Sequence, residues 1–557
     1  MSTREKYAIA ALLAVTAGLL VYLAWRTGIT VDEPAHIVSA RLYWQGADRL
    51  RPGDMPPMIK IVGGWVAARR NLPLPPKLGE EGENRHEWNI AIDMLQAMKW
   101  EDIQPLIFYS RLPLLIFPLL NTALIWWWAR ELFTPVIGFI AAALFAFEPT
   151  ALAHGAIFKN DHAATFGYVL LFYTMWRYWR AAMLKNAILI GLAITVCLLS
   201  KLTLLFVVAL APLLMLRAGR RSLLHAGTAL LIAYALLACA VQFEMYQLGP
   251  EDVQKLAQNR ALPPWFSTIS HVFRVVPAPD RIWNGVVTLW TDTAVNQPVY
   301  MLGKIEPQGN PLYFLLCLLV KSPVTLLVLA VLAAPILLMA IFRRRLEWRD
   351  VLWLAPAPLY VALASRVPYQ QGIRLILPAL PFGILIACFA IRSVARWRAG
   401  KAAVAVLLAL FAFEAARVYP FGMSFFNIAA GGPGAGIRYL ADSNLDWGQG
   451  LGEVKRWAVA NHALPIHLSY FGVDMMYRHF ADAEVKPIAP PWNDELAKGK
   501  TELIPEPGQY YAISPTLLPG QFFTPKYRDF YRVFRELKPV ARPGYSMFVY
   551  RVDAPAR

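Results

Sequence analysis

The chain has 557 residues, of which 57% are hydrophobic and only 16% charged, and it carries a net charge of +17. An average soluble domain is about 45–50% apolar and about 25% charged, so this composition excludes a disordered chain and an ordinary soluble domain. Four cysteines, all inside apolar runs and without ligand spacing, exclude a disulfide scaffold and a thiolate zinc site.

A membrane span needs roughly 20 mostly apolar residues. Eleven runs qualify: 7–25, 107–129, 135–153, 163–179, 186–200, 202–216, 223–246, 312–342, 351–365, 374–391 and 402–418. Ser200-Lys201 divides the fifth from the sixth. Lys321-Ser322-Pro323 interrupts the eighth, whose first part reads as an interfacial helix. The first run is too long for the apolar region of a cleaved signal, and Trp25-Arg26 stand where small residues would be needed. Arg4 and Lys6 before it predict a cytoplasmic N-terminus.

Alternation from there supplies a test. The cytoplasmic connections become Arg130; Arg177, Arg180 and Lys185; Arg217, Arg220 and Arg221; Arg343, Arg344, Arg345 and Arg349; Arg392, Arg396, Arg398 and Lys401. These fifteen basic residues face three acids, Glu131, Glu347 and Asp350. Topology therefore accounts for much of the positive charge, and no nucleic-acid partner is needed.

The expected fold class is an all-α polytopic membrane protein with a small periplasmic α/β domain at its C-terminus. Residues 1–418 form the membrane domain and 419–557 the soluble one. Within the membrane domain, 26–106 is a first periplasmic loop. Its apolar stretches near 34–46 and 57–68 suit helices lying on the membrane. Segment 247–311, with Pro263-Pro264-Trp265 and Pro277-Ala278-Pro279, reads as an irregular lid. In the last segment, runs at Ile466–Phe471, Gln509–Ser514 and Ser546–Val552 alternate as strands, and 449–460 reads as a helix.

The outer face holds the residues with chemical capacity, because ionisable groups beside a membrane are costly and tend to be functional. Asp32-Glu33-Pro34 and His36 follow the first span, and Pro34 suits a helix start. His154, Lys159 and Asp161 precede the fourth span. Asp32 and Asp161 each read equally as a helix cap or as an acid that takes or orients a proton. Lys201, Lys321, Arg366 and Arg374 lie at outer helix ends, where the positive-inside bias disfavours them. A phosphate is the natural partner.

Several of these segments resemble a known family. Asp32-Glu33-Pro34 with His36, and Asp54-Met55-Pro56-Pro57-Met58-Ile59-Lys60, resemble the first outer loop of glycosyltransferase family 39. This is the protein O-mannosyltransferase-like group, of the GT-C superfamily that also contains the aminoarabinose transferase of lipid A. The likeness continues at Leu152–Gly155 with Asp161, at Ser200-Lys201, at Val320–Pro323 and at Gly372–Pro378. Asp442-Ser443-Asn444-Leu445-Asp446-Trp447-Gly448-Gln449 is similar to a segment of a bacterial subgroup. Met55 stands where the eukaryotic members place a His.

The resemblance implies a GT-C-like fold and a hexosyltransferase that inverts the anomeric centre at the periplasmic face of a bacterial inner membrane. Its donor would be a polyprenyl-phosphate sugar and its acceptor a hydroxyl of unnamed identity. The catalytic residues would be Asp32 as base and Asp161. Glu33, His36, Lys60, His154, Lys201, Lys321 and Arg374 would bind substrate. No cofactor is required, though a divalent ion bridging carboxylate and phosphate is compatible with these acids. A glycan ligase or polymerase using a lipid diphosphate is the rival enzyme. A transporter is the rival of another class, disfavoured because the acids cluster at one face and no repeat is apparent.

Overall fold

The computed structural model describes residues 2–46, 56–70, 87–217, 219, 221–249, 251, 270–293 and 297–552. Among the described residues, six helices are long and apolar enough to cross a membrane. They include Thr3–Arg26, Ser222–Ala240, Val324–Phe342 and Arg398–Val418. The other two are composite, Glu101–Leu132 and Ile373–Val394. Only 22% of the apolar stretch of Val324–Phe342 is buried inside the protein, so most of it faces outward, as a lipid-facing helix must.

The remaining expected spans form shorter or broken helices, with causes visible in the chain. The run 135–153 divides into Pro135–Ala146 and Pro149–His154, because Glu148 caps the second piece by accepting the Ala151 amide at 2.6 Å. The run 351–365 breaks at Ala355, before Pro356 opens the helix Pro356–Ala364. As expected, Lys201 separates Leu184–Ser200 from Leu205–Leu216, and Ser322-Pro323 separates Tyr313–Lys321 from Val324–Phe342. Eleven full crossings are thus an expectation that the helix lengths meet only in part.

The basic connections gather at one end of the bundle. Arg130 pairs with Glu5 at 3.4 Å and Arg180 with Glu131 at 3.7 Å. Trp179 and Trp348 pack with ring centroids 4.2 Å apart, and Arg217 lies 4.6 Å above the Trp348 ring. Arg392 lies over Phe133. All five connections therefore meet the N-terminus at the same end.

At the opposite end, Glu33–Trp44 and Met58–Ala68 form the two helices expected in the first loop. Glu87–Ala97 adds one that was not expected, and Trp100–Arg111 starts ahead of the span expected from 107. Together they enclose a core of Ile37, Val38, Ile59, Met94 and Leu106. Asp54 and Met55 lie outside the described residues. The segment 247–311 corrects the expectation of an irregular lid. It contains the helix Asp280–Thr293 and a hairpin pairing Val299–Met301 with Lys304–Glu306. Pro279 pairs with Met245. Pro263-Pro264-Trp265 lies outside the described residues.

Beyond the last span, four strands lie in the order Val485–Pro487, Ile466–Ser469, Tyr510–Ile513, Phe548–Arg551. The first two contacts are parallel and the last antiparallel. Side chains alternate across a strand. Tyr511, Ile513 and Tyr550 accordingly face one apolar layer with Phe530 and Phe534. Ala512, Val549 and Leu468 face the other, where Leu451, Val454 and Ala458 of the helix Leu451–Ala460 pack at helical spacing. This α/β unit is attached to the end of the bundle opposite the basic connections, where Glu453 pairs with Arg26 at the end of the first helix.

Candidate active site

Asp32 occupies the capping position of Glu33–Trp44, yet its side chain makes no capping hydrogen bond. The carboxylate instead accepts from Lys159 Nζ. Asp161 is already inside its helix, with Asn160 at the cap, and it too caps nothing. Lys201 Nζ donates to its Oδ1 at 3.1 Å. The capping reading therefore fails for both side chains, and both are free for other work.

Arg374 joins the two acids. Its guanidinium lies 4.0 Å from Asp32 Oδ2 and 4.0 Å from Asp161 Oδ2. It comes from the 3₁₀ segment Ile373–Ala379, which follows Gly372. Gly372 has φ +93°, and a Cβ there would stand 2.4 Å from Ser443 Oγ. A glycine is what allows the chain to turn Arg374 inward at this close approach. One face of the guanidinium packs on Trp447, 4.1 Å from the ring, and Lys159 Nζ lies 5.5 Å from the same ring. Asp32, Asp161, Lys159, Lys201, Arg374 and Trp447 thus form one cluster drawn from five separate parts of the chain.

Burial and neighbours set the charges. Burial pushes the Asp32 carboxyl up, but the Lys159 and Arg374 charges outweigh it and bring its pKa down to about 2. Burial and then Lys159 hold the His36 imidazole neutral, with Lys60 adding to the effect. His36 Nε2 lies 2.7 Å from Lys159 Nζ, so the neutral ring accepts from the ammonium. Burial also lowers the Lys159 pKa, against the pull of Asp32.

Bonding capacity is left over inside the cluster. Neither ring nitrogen of His154 has a hydrogen-bond partner, although the residue is 2% exposed, and its ring lies 6.1 Å from Trp447. Asp161 Oδ2 and His36 Nδ1 are also without one. Buried polar groups are normally satisfied, so unsatisfied ones converging on a charged cluster mark a place for a polar ligand.

The other expected site residues have different places. Glu33 is turned away from the cluster and fully committed. It takes Arg111 through Nε at 2.7 Å and Nη2 at 2.5 Å, and it accepts from the Phe158 amide and from Thr30. Arg111 also donates to the carbonyls of Ala24, Thr27 and Gly28. The pair therefore fixes the turn that presents Asp32 and does not itself meet a ligand. Lys321 Nζ donates to the carbonyls of Met423 at 2.9 Å and Asn444 at 2.5 Å, which fastens the segment leading to Trp447. Lys60 is buried in Met58–Ala68 near His36. Arg366 is exposed and outside the cluster.

Lys159 and Trp447 are the two residues not assigned to the site from sequence. Lys159 had the same signal as Lys201, a basic residue at an outer helix end. Trp447 had only its place in the segment 442–449. No local pattern brings a residue 267 positions beyond the end of helix Asp161–Arg180 back to the site. Among the described residues, no three His, Cys, Asp or Glu side chains gather as a metal site would require.

Residues 105–243 match the family model described as dolichyl-phosphate-mannose-protein mannosyltransferase. That stretch contains His154, Lys159, Asp161 and Lys201. No curated protein matches the chain. Among solved structures, the chain is similar to ArnT from Cupriavidus metallidurans bound to undecaprenyl phosphate. The identity is 12% and the TM-score 0.45, with 97% of each chain covered. It is also similar to the apo oligosaccharyltransferase of Archaeoglobus fulgidus. There the identity is 12% and the TM-score 0.41, with 92% of this chain and 70% of that chain covered.

Proposed function

We propose that this chain, which resembles the mannosyltransferase family over residues 105–243, is an inverting membrane glycosyltransferase. It moves a sugar from a polyprenyl-phosphate donor to an acceptor hydroxyl on the periplasmic face. The observation that carries this reading is the position of Arg374, 4.0 Å from both Asp32 and Asp161 and flanked by Lys159 and Lys201. Three cations around two carboxylates suit a site that holds a phosphate beside a group able to accept a proton.

In the reaction, the acceptor hydroxyl loses its proton to Asp32. Its oxygen forms a bond to the anomeric carbon as the bond from that carbon to the phosphate oxygen breaks. The bonding pair leaves with the lipid phosphate, and one displacement inverts the anomeric centre. Arg374, Lys201 and Lys159 face the leaving phosphate. Fixed charges already in place need no reorganisation as negative charge develops. Lys159 and Arg374 neutralise Asp32 before the donor arrives. When they turn to the phosphate, the carboxylate regains basicity, and this links donor binding to readiness of the base. Asp161 and His154, with unused bonding capacity, orient the sugar. In this reading the cations of the site are side chains, and a divalent ion is not required.

The test is sugar transfer by purified variants from a polyprenyl-phosphate donor. Asn caps a helix about as well as Asp but takes no proton. Asp32→Asn is expected to stay folded, bind donor and lose about 10²–10⁴-fold in turnover. More than about a tenth of the wild-type rate would remove Asp32 as the base.

A further inference from the structure

The end of the bundle that carries the basic connections contains a feature the proposed reaction does not use. A cavity of about 550 Å³ opens between the helices Val324–Phe342 and Leu380–Val394. Its size falls within the range of small-molecule sites, roughly 300–1,000 Å³. It lies at the far end of both helices from Lys321 and Arg374. The 19 residues of Val324–Phe342 place it roughly 28 Å from the catalytic end at the α-helical rise.

The lining has two halves. Toward the middle of the bundle it is apolar, with Ile336, Met339 and Phe389. The rest of the lining includes four exposed arginines, Arg343, Arg345, Arg392 and Arg396. None of these four forms an ion pair with a described residue. The acids at this end are taken elsewhere. Glu347 pairs with Arg349, Asp350 accepts from Trp353 Nε1, and Glu131 is held by Trp127, Tyr173 and Arg180.

Positive-inside bias explains why arginines are at this end, but it does not explain why four of them ring a cavity. Four like charges lining one cavity repel unless an anion joins them. The anion must also have an apolar part, because the cavity continues into an apolar wall at membrane depth. Free phosphate or a nucleotide would leave that wall wet.

We propose that this cavity binds one anionic phospholipid of the adjoining leaflet, its phosphate among Arg343, Arg345, Arg392 and Arg396 and an acyl chain along Ile336, Met339 and Phe389. Guanidinium forks match phosphate oxygens, and basic pockets between membrane helices are suited to acidic lipid headgroups. The occupant would bridge two helices that otherwise repel at this end, and so hold the bundle together far from the reacting groups.

The experiment is native mass spectrometry of the full chain in detergent, titrated separately with phosphatidylglycerol, phosphatidylcholine and inorganic phosphate. One phosphatidylglycerol should be retained per chain, with phosphatidylcholine retained far less and inorganic phosphate unable to displace it. The double variant R392Q/R396Q should bind about thirtyfold more weakly, the value for two basic contacts to an anionic lipid. R343Q/R345Q serves as a second variant should the first misfold. R217Q/R221Q, at the same end but outside the cavity, should bind as wild type. Equal retention of phosphatidylcholine would mean ordinary surrounding lipid and overturn the proposal. So would unchanged phosphatidylglycerol binding in a folded cavity variant, or displacement of the lipid by inorganic phosphate.

Discussion

Asp32 and Glu33 are neighbours of the same chemical kind, and the fold gives them opposite tasks. Glu33 is locked to Arg111, while Asp32 shares Lys159 and Arg374 with a site that has bonding capacity to spare. Since the Asp32 pKa is about 2, the carboxylate is ionised throughout the usual working range. The pH profile of kcat/KM, which reports free-enzyme groups, should therefore show no acid limb from Asp32 above about pH 4. Lys159→Met removes the strongest neighbour holding that value down, so the pKa must rise and an acid limb should appear in the profile. Wild type and variant with superimposable acid sides would separate Asp32 from the rate. Arg374 makes a second residue-scale prediction. Arg374→Lys keeps charge but loses the fork and the flat face over Trp447. Donor affinity should fall slightly for Lys and about 10–100-fold for Ala, the range for a lost charge-assisted contact. Equal donor affinity in Arg374→Ala and wild type would take Arg374 out of the site.

At the scale of elements, the segment 442–449 joins the α/β unit to the membrane helices. Asn444 accepts from the Ile373 amide and donates to Tyr313, and Ser443 Oγ donates to the Gln371 carbonyl at 2.6 Å. The Val31 amide donates to the Trp447 carbonyl at 2.9 Å, beside Asp32. Gly28 lets the two chains meet, since a Cβ there would lie 2.5 Å from the Gln449 carbonyl oxygen. One short segment thus positions both the Arg374 turn and the Asp32 turn. Cation–aromatic contacts contribute about 0.5–2 kcal/mol. Trp447→Ala should accordingly weaken donor binding roughly threefold to thirtyfold, and Trp447→Phe should restore most of it. If Phe rescues nothing, the ring is packing and not a platform for the cations.

The same segment has a pH response. Burial raises the Asp446 carboxyl to about 7 and that of Asp442 to about 6. An acid whose folded pKa is raised contributes nothing below its unfolded value, and its penalty grows as pH climbs to the folded pKa. Stability should therefore decline between about pH 4 and pH 7 through these groups. Asp446→Asn should flatten that decline in thermal unfolding; an unchanged slope would show that Asp446 ionises freely.

For the whole molecule, the chain separates its charges by end. Basic connections and the N-terminus meet at one end, and the acid–base cluster and the α/β unit occupy the other. If the basic end is cytoplasmic, as the bias predicts, reporters fused to the N- and C-termini should report opposite compartments. A C-terminal reporter active in the cytoplasm would remove the odd number of crossings.

Helix positions, strand runs and the sign of each connection were legible in the sequence, because they follow from periodicity and composition within a window of some twenty residues. The helices at 33–44 and 58–68 and the alternation of Tyr510–Ile513 were within that reach, as were Asp32, Asp161 and Arg374 as ionisable groups in costly places. Which acid meets which base was not. Arg111 selects Glu33 across 78 residues, and Lys159 selects Asp32 across 127. Such pairings depend on packing between distant helices and leave no local periodicity. The place of Trp447 beneath Arg374 was decided in the same way, by the docking of the α/β unit on the end of the bundle. The sequence by itself determined what this protein is built from and where charge is unusual. Only the tertiary structure decided which of those charges face one another.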